Sequence, residues 1–282
     1  MRELPLPTLP ISSLGTFEVP RRSLHRQPRP EGASADQKGR FDVVWARDGK
    51  DVLEAQQLRH LVFAEEMGAR LTVPVGSPPG HDIDMFDPYC EHLLVRAQGV
   101  DGEPGPVIGT YRVLTPASAR RVGGFYSDTE FDLIRLRPLR ARMVELGRSC
   151  VHPSWRSGGV IMALWGALAE FMRRNQLDTM VGCASVGMRD GGHFAASLWH
   201  QLSKTHLAPI EWRVEARLPL PVADLQHDLD VDPPALIKGY LRSGAKVLGA
   251  PAWDPHFNTA DLPMLLRIDD LPARYRRHFL GA

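Results

Sequence analysis

Residues 142–159 read Arg-Met-Val-Glu-Leu-Gly-Arg-Ser-Cys-Val-His-Pro-Ser-Trp-Arg-Ser-Gly-Gly. Alternating apolar residues predict a strand over 142–151, which carries Glu145, Arg142 and Arg148 and breaks at His152-Pro153. A basic glycine turn, Arg156 to Gly159, precedes an apolar helix over 160–174, where Ile161, Leu164, Trp165, Leu168 and Met172 recur at helical spacing. A strand that feeds a glycine turn at a helix N-terminus aims unpaired backbone N–H groups outward, a cradle for a phosphate. Glu145, upstream on the strand, stands where a general base would sit if that phosphate belonged to a cofactor. As a plain β-α turn the same residues bind nothing, and the pattern leaves both readings open.

This unit sits in a chain of 282 residues, 43% hydrophobic and 24% charged, an ordinary globular composition. Net charge is +1, yet from Arg112 to Arg156 nine Arg face four acids (Asp128, Glu130, Asp132, Glu145), a local excess of five positive charges. That face suits an acidic partner or is simply solvated. Cys90, Cys150 and Cys183 are odd in number and lack zinc spacing, so a reduced, cytoplasmic compartment is expected. Pro5, Pro7 and Pro10 interrupt every short N-terminal apolar run, which argues against a secretory segment. The stretch 160–169 is too short to span a bilayer, so the protein is expected to be soluble.

Residues 1–39 are rich in Pro and Arg without periodicity and read as a flexible tail; 40–282 read as one domain, with a core over about 41–215 and an extension over 216–282. No tandem repeats or zinc knuckles appear, and no nucleic-acid partner is expected. Strands are expected at 41–47, 91–98, 107–115, 142–151, 178–186, near 211–219 and at 264–268. Helices are expected at 50–67, 160–174 and 190–205, with an amphipathic segment over 234–248 and a terminal helix. A Pro- and Asp-bearing loop fills 70–90, and a short helix is expected within 116–140. This order mixes antiparallel with parallel pairing, so the class is α/β without being plainly doubly wound.

The runs Leu58-Arg59-His60-Leu61-Val62-Phe63, Asp82-Ile-Asp84-Met-Phe-Asp87, Gly109-Thr-Tyr-Arg112 and Glu145-Leu-Gly-Arg148-Ser149 follow one another in this order. That order resembles the GCN5-related N-acyltransferase (GNAT) superfamily, within it the branch shared by acyl-homoserine-lactone synthases and ornithine N-acyltransferases. Runs 86–95 with His92, 125–132, and Glu145-Leu-Gly-Arg148-Ser-Cys150-Val-His-Pro are similar to the ornithine-type enzymes. The likeness is close over about 41–215 and looser through Ile237-Lys-Gly-Tyr240-Leu-Arg. It implies a mixed, mostly antiparallel central sheet flanked by helices. It also implies transfer of a 3-hydroxyacyl chain from acyl carrier protein to the α-amino group of L-ornithine, giving lyso-ornithine lipid. No tightly bound cofactor is then needed, since the carrier's acyl-phosphopantetheine is a co-substrate, and contact with the inner membrane is plausible.

Amide formation from a thioester needs a neutral amine, a polarised carbonyl and an exit for the thiolate. Glu145 is the candidate proton acceptor, with Arg148 beside it; the alternative is a Glu held in an ion pair with Arg112 or Arg148. The acceptor's ammonium groups call for carboxylates, Asp84 and Asp87, and its carboxylate for a guanidinium, Arg59 or Arg112. Asp82, Asp84 and Asp87 equally suit an Arg-paired latch. An EF-hand does not fit, since its closing Glu position is Leu93, and no metal is expected. For the donor's phosphopantetheine the candidates are Val151, Arg156, Ser157, Gly158 and Gly159; adjacent rather than alternating glycines favour a carrier arm over coenzyme A. Arg120, Arg121, Arg135, Arg137, Arg140 and Arg142 are candidates for docking the carrier. A strand bulge at Gly147 would free an amide for the thioester oxygen, and Ser149 lacks the His/Asp partners of a covalent nucleophile. The open rivals are an acyl-homoserine-lactone synthase, an N-acyltransferase for another amino acid, and a non-catalytic carrier- or lipid-binding module.

Overall fold

The computed structural model describes residues 41–99, 103–156 and 159–280, so the expected tail, and Ser157 and Gly158 of the glycine turn, lie outside the described residues. The chain opens with β1 (Phe41–Trp45) and α1 (Gly49–His60), where the Asp48 side chain accepts from Asp51 N at 3.0 Å as an N-cap. The helix runs on as a wider π-type turn, Leu61–Glu66. After the loop come β2 (Glu91–Ala97) and β3 (Val107–Leu114), then α2 (Pro116–Val122), stopped by Gly123 at φ +103°. Next are α3 (Ser127–Glu130), β4 (Phe131–Asp132), β5 (Met143–Val151), α4 (Gly159–Arg174) and β6 (Thr179–Gly187). The remainder holds α5 (His193–Thr205), β7 (Glu215–Ala216), α6 (Ala235–Arg242), β8 (Lys246–Val247), β9 (Ala252–Asp254), β10 (Thr259–Arg267) and α7 (Ala273–Leu280).

The main sheet runs β1-β2-β3-β5-β6-β10-β8, with β9 added on β10; β5–β6 is its parallel pair and the other pairs are antiparallel. This is the mixed, mostly antiparallel sheet the resemblance implies. β10 pairs with β6 over its whole length, Thr259↔Gly187 to Arg267↔Thr179, so residues past 215 supply a central strand rather than an appendage. The strand expected near 211–219 shrinks to Glu215–Ala216, paired with β4. A 3-10 turn at Ile210–Trp212 and the donor-less Pro219 bound it on either side.

Period-2 alternation puts helices on both faces. Leu93 and Val95 of β2 pack with Leu164, Leu168 and Met172 of α4, while Leu94 between them packs with Ala55, Leu58 and Val62 around α1. Each of the buried Leu, Val and Met side chains contributes about 1.5–3 kcal/mol. Among the described residues no helix is long and apolar enough to cross a membrane.

One irregularity creates the site. β5 and β6 pair only from Met143↔Thr179 to Glu145↔Val181 and then part. Gly182 marks the divergence, for a Cβ there would lie 2.4 Å from Leu146 O.

Candidate active site

A cavity of about 480 Å³ opens where the two strands separate, and Tyr126, Glu145, Arg148, Asp254 and Asp261 lie in its wall. On the other side β5 is bulged: Thr110 pairs with Cys150 but Arg112 with Gly147, so Arg148 and Ser149 together oppose Tyr111. Arg148 holds φ +50°, a left-handed conformation that a non-glycine residue keeps only where its surroundings impose it. Its guanidinium lies between two rings, 5.2 Å from the Tyr126 centroid and 4.8 Å from that of Phe257, and its Nε pairs with Asp82 Oδ2 at 3.3 Å. The bulge expected at Gly147 therefore falls one residue later, and it turns a guanidinium to the cavity.

Arg59, Asp84 and Asp87 do not reach that wall. Arg59 is fully buried; its Nε donates to Asp82 Oδ2 (2.6 Å), Nη1 to Asp87 Oδ1 (2.8 Å), and Nη2 to Asp82 O (2.7 Å) and Asp87 Oδ2 (3.0 Å). Arg112 Nη1 donates to Asp84 Oδ1 (2.6 Å) and Asp87 Oδ1 (2.9 Å), and Arg148 Nη2 to Asp84 Oδ2 (3.3 Å). Three guanidinium groups thus face three carboxylates and strap the loop at 82–87 to α1, β3 and β5. Burial would raise the Asp87 carboxyl, but Arg59 and Arg112 outweigh it and hold it well below the usual carboxylate range. These residues meet as the Arg-paired latch, and Arg112 is its one member besides Arg148 that also borders the cavity. His92 belongs to the same strap: Nε2 lies 3.0 Å from Asp87 O, and burial lowers the ring to about 4.

Glu145 is 5% exposed and is held by backbone rather than by Arg. Oε2 accepts from Tyr126 N (2.6 Å), and Oε1 from Ser127 N (2.6 Å) and Ser127 Oγ (2.5 Å). Burial raises its carboxyl in spite of these donors. Val151 and Arg156 line the far end of the cavity. Arg156 pairs in a bidentate fork with Glu66 (2.6 and 2.7 Å), its Nε donates to Val151 O (3.0 Å), and Gly159 begins α4 beside it. Ser157 and Gly158 fall outside the described residues.

The arginines at 120, 121, 135, 137, 140 and 142 lie on α2 and on the turns before β5, at the opposite end of that strand from Arg156. A strand of nine residues separates the two ends, roughly 30 Å. The face expected to dock the carrier is therefore remote from the turn expected to hold its arm. Even within it, Arg140 pairs with Asp128 and Arg142 with Asp178.

Sequence reasoning missed an acidic trio. Ligand oxygens of Glu130, Asp254 and Asp261 lie within 4.8 Å of one another, and the two Asp belong to the cavity wall. Tyr126 Oη donates to Glu130 (2.9 Å), Thr259 Oγ1 donates to Asp261 (3.0 Å), and Asp254 accepts from His256 N (2.8 Å) and Phe257 N (3.1 Å). Burial, then the neighbouring Asp261 and Asp254, pushes Glu130 up to about 7; burial, reinforced by Asp254, pushes Asp261 up to about 6. Glu130 ends α3 whereas the Asp pair flanks the β9–β10 turn, so no local motif connects them. Three carboxylates gathered so closely suit a cation.

A family model described as an acetyltransferase (GNAT) domain matches residues 58–166. An L-ornithine N(alpha)-acyltransferase of Agrobacterium fabrum (strain C58) is 34% identical over 295 residues, covering 96% of this chain and 97% of that protein. One from Rhizobium meliloti (strain 1021) is 35% identical over 248 residues, covering 83% of this chain and 82% of that protein. Among solved structures, the AHL synthase LasI superposes with a TM-score of 0.50 at 16% identity, covering 86% of this chain and 95% of that chain, a likeness of fold.

Proposed function

The chain belongs to the L-ornithine N(alpha)-acyltransferases, acyltransferases with a GNAT domain, and from that membership we propose how its cavity joins a 3-hydroxyacyl group to L-ornithine. The observation that carries the proposal is the composition of one cavity. Asp254 and Asp261 stand at one side, the bulged Arg148 at the other, and Arg156 at the far end.

Ornithine brings two ammonium groups and a carboxylate. Its side-chain ammonium meets Asp254, Asp261 and Glu130, which it keeps ionised, and its carboxylate meets Arg148. The α-amine then faces Glu145, whose oxygens accept three donors and retain capacity for one more. Glu145 accepts a proton as the amine attacks the thioester carbon. The backbone of the bulge at Arg148 and Ser149 faces the developing oxyanion, the C–S bond breaks, and the departing thiolate takes up the proton that Glu145 accepted. Arg59, Asp84, Asp87 and Arg112 keep the wall in place around these groups.

The donor's phosphopantetheine lies along Val151 and the start of α4 at Gly159, with Arg156 exchanging Glu66 for the phosphate. That exchange replaces one bidentate anion by another on a half-exposed guanidinium. Acyl carrier protein approaches this end of β5, where Arg189 also reaches Glu66 O at 3.4 Å. The test gives the purified protein L-ornithine with a 3-hydroxyacyl group on either carrier protein or coenzyme A. α-N-acylornithine formed faster from the carrier supports the proposal; product from coenzyme A alone, or acylation of the δ-nitrogen, overturns it.

A further inference from the structure

Beyond the main cavity lies a second, largely apolar chamber of about 90 Å³ among β5, β6, β10, α4 and α6. The two share one wall, to which Tyr111, Leu146, Trp165 and Tyr240 belong. The phenol oxygens of Tyr111 and Tyr240 lie 2.5 Å apart, and the Tyr240 ring stacks on Trp165 at 5.4 Å and 24°. Gly239 permits that stack, because a Cβ there would meet the Trp165 ring at 2.4 Å. Trp165 Nε1–H is buried and finds no acceptor among the described residues. Two phenols sharing one hydrogen bond also leave one O–H uncommitted within the pair.

Buried donors of this kind are costly unless something pairs with them. Here they gather where an acyl chain would leave the transfer centre for apolar space. Tyr111 opposes the bulged Arg148 and Ser149, and its hydroxyl also interacts with Ser149. The wall therefore touches the first carbons of the chain rather than its tail.

We propose that Tyr111, Trp165 and Tyr240 form a collar that selects acyl chains bearing a hydroxyl close to the carbonyl. A hydroxyl offers two acceptor sites and one donor, which suit the indole N–H and the phenol pair; a plain methylene leaves them unpaired. Tyr240 comes from α6, so the C-terminal third supplies part of the donor's specificity. The inference rests on the acyl-transfer reading above.

The experiment measures kcat/KM for L-ornithine with 3-hydroxyacyl carrier protein and with the non-hydroxylated chain of equal length. The wild type is expected to favour the hydroxylated donor, and Tyr240→Phe or Trp165→Phe to narrow that ratio by roughly tenfold, one hydrogen bond's worth. Tyr111→Phe is the third variant, and a thermal melt of each identifies any that fails to fold. Equal loss with both donors in the folded variants overturns the collar, as does a wild type without preference. A wild type that acylates ornithine with neither donor contradicts the function itself, which keeps the two failures distinct.

Discussion

Burial raises the carboxyls of Glu130, Glu145 and Asp261 alike. The folded-state values of about 7 for Glu130 and about 6 for Asp261 lie above unfolded values near ~4.3 and ~3.9, so each group's contribution is full below about pH 4 and is lost as pH rises to 7. Without an amine the thermal midpoint is expected to fall between pH 5 and 7.5, by roughly 2–4 °C for each kcal/mol lost, and saturating ornithine to flatten the slope. A slope that ornithine leaves unchanged would place the amine elsewhere. For the same reason Asp261→Asn should raise the midpoint at pH 7 while weakening ornithine, with KM up about tenfold and kcat less affected. Glu145→Gln is expected to lower kcat by about 10²-fold or more, and calorimetry will register the altered Tyr126 and Ser127 contacts separately. An unchanged kcat would remove Glu145 as the proton acceptor. The acidic trio was not legible in sequence, because Glu130 and Asp254–Asp261 are brought together only by the sheet and the turn between β9 and β10.

At the scale of elements, the loop at 82–87 is held by charge together with the buried Phe86 ring. Asp87 is held low, so its contribution is full above about pH 4 and disappears as pH falls through its folded value. Asp87→Asn leaves Arg59 and Arg112 under-compensated and should cost about 3–5 kcal/mol, read as a lower midpoint and a shallower acid limb. An unchanged acid limb would show that the strap carries no load. Elements with strong periodicity were legible: 160–174 as α4 and 142–151 as β5 agree within a residue. The Asp82 and Asp87 partners of Arg59 were not legible, because its position on the buried stripe of α1 does not say what a buried guanidinium faces. β10 was read too short because Pro263 looks like a breaker; β8 pairs only Met264 and Leu265, which leaves Pro263 off its ladder.

In the proposed reading, the parting of β5 and β6 joins an amino-acid site to a chain site. That parting was invisible in sequence, since Glu145 and Val181 look like ordinary strand interiors; only the end of their pairing, beside Gly182, exposes the gap. If carrier protein docks near Arg156 and Arg189, turnover with the carrier-bound donor should fall as salt rises, whereas a short pantetheine thioester should show little dependence. Equal salt responses would remove electrostatic docking. The central claim is that this cavity acylates the α-amine of a diamino acid whose second ammonium rests on Glu130, Asp254 and Asp261. The direct test compares kcat/KM for L-ornithine and for L-norvaline, which keeps the chain length and lacks the δ-amine, with one carrier-bound 3-hydroxyacyl donor. A preference for ornithine of about 100-fold, largely abolished in Asp261→Asn, is the predicted result; equal turnover of the two acceptors would contradict it.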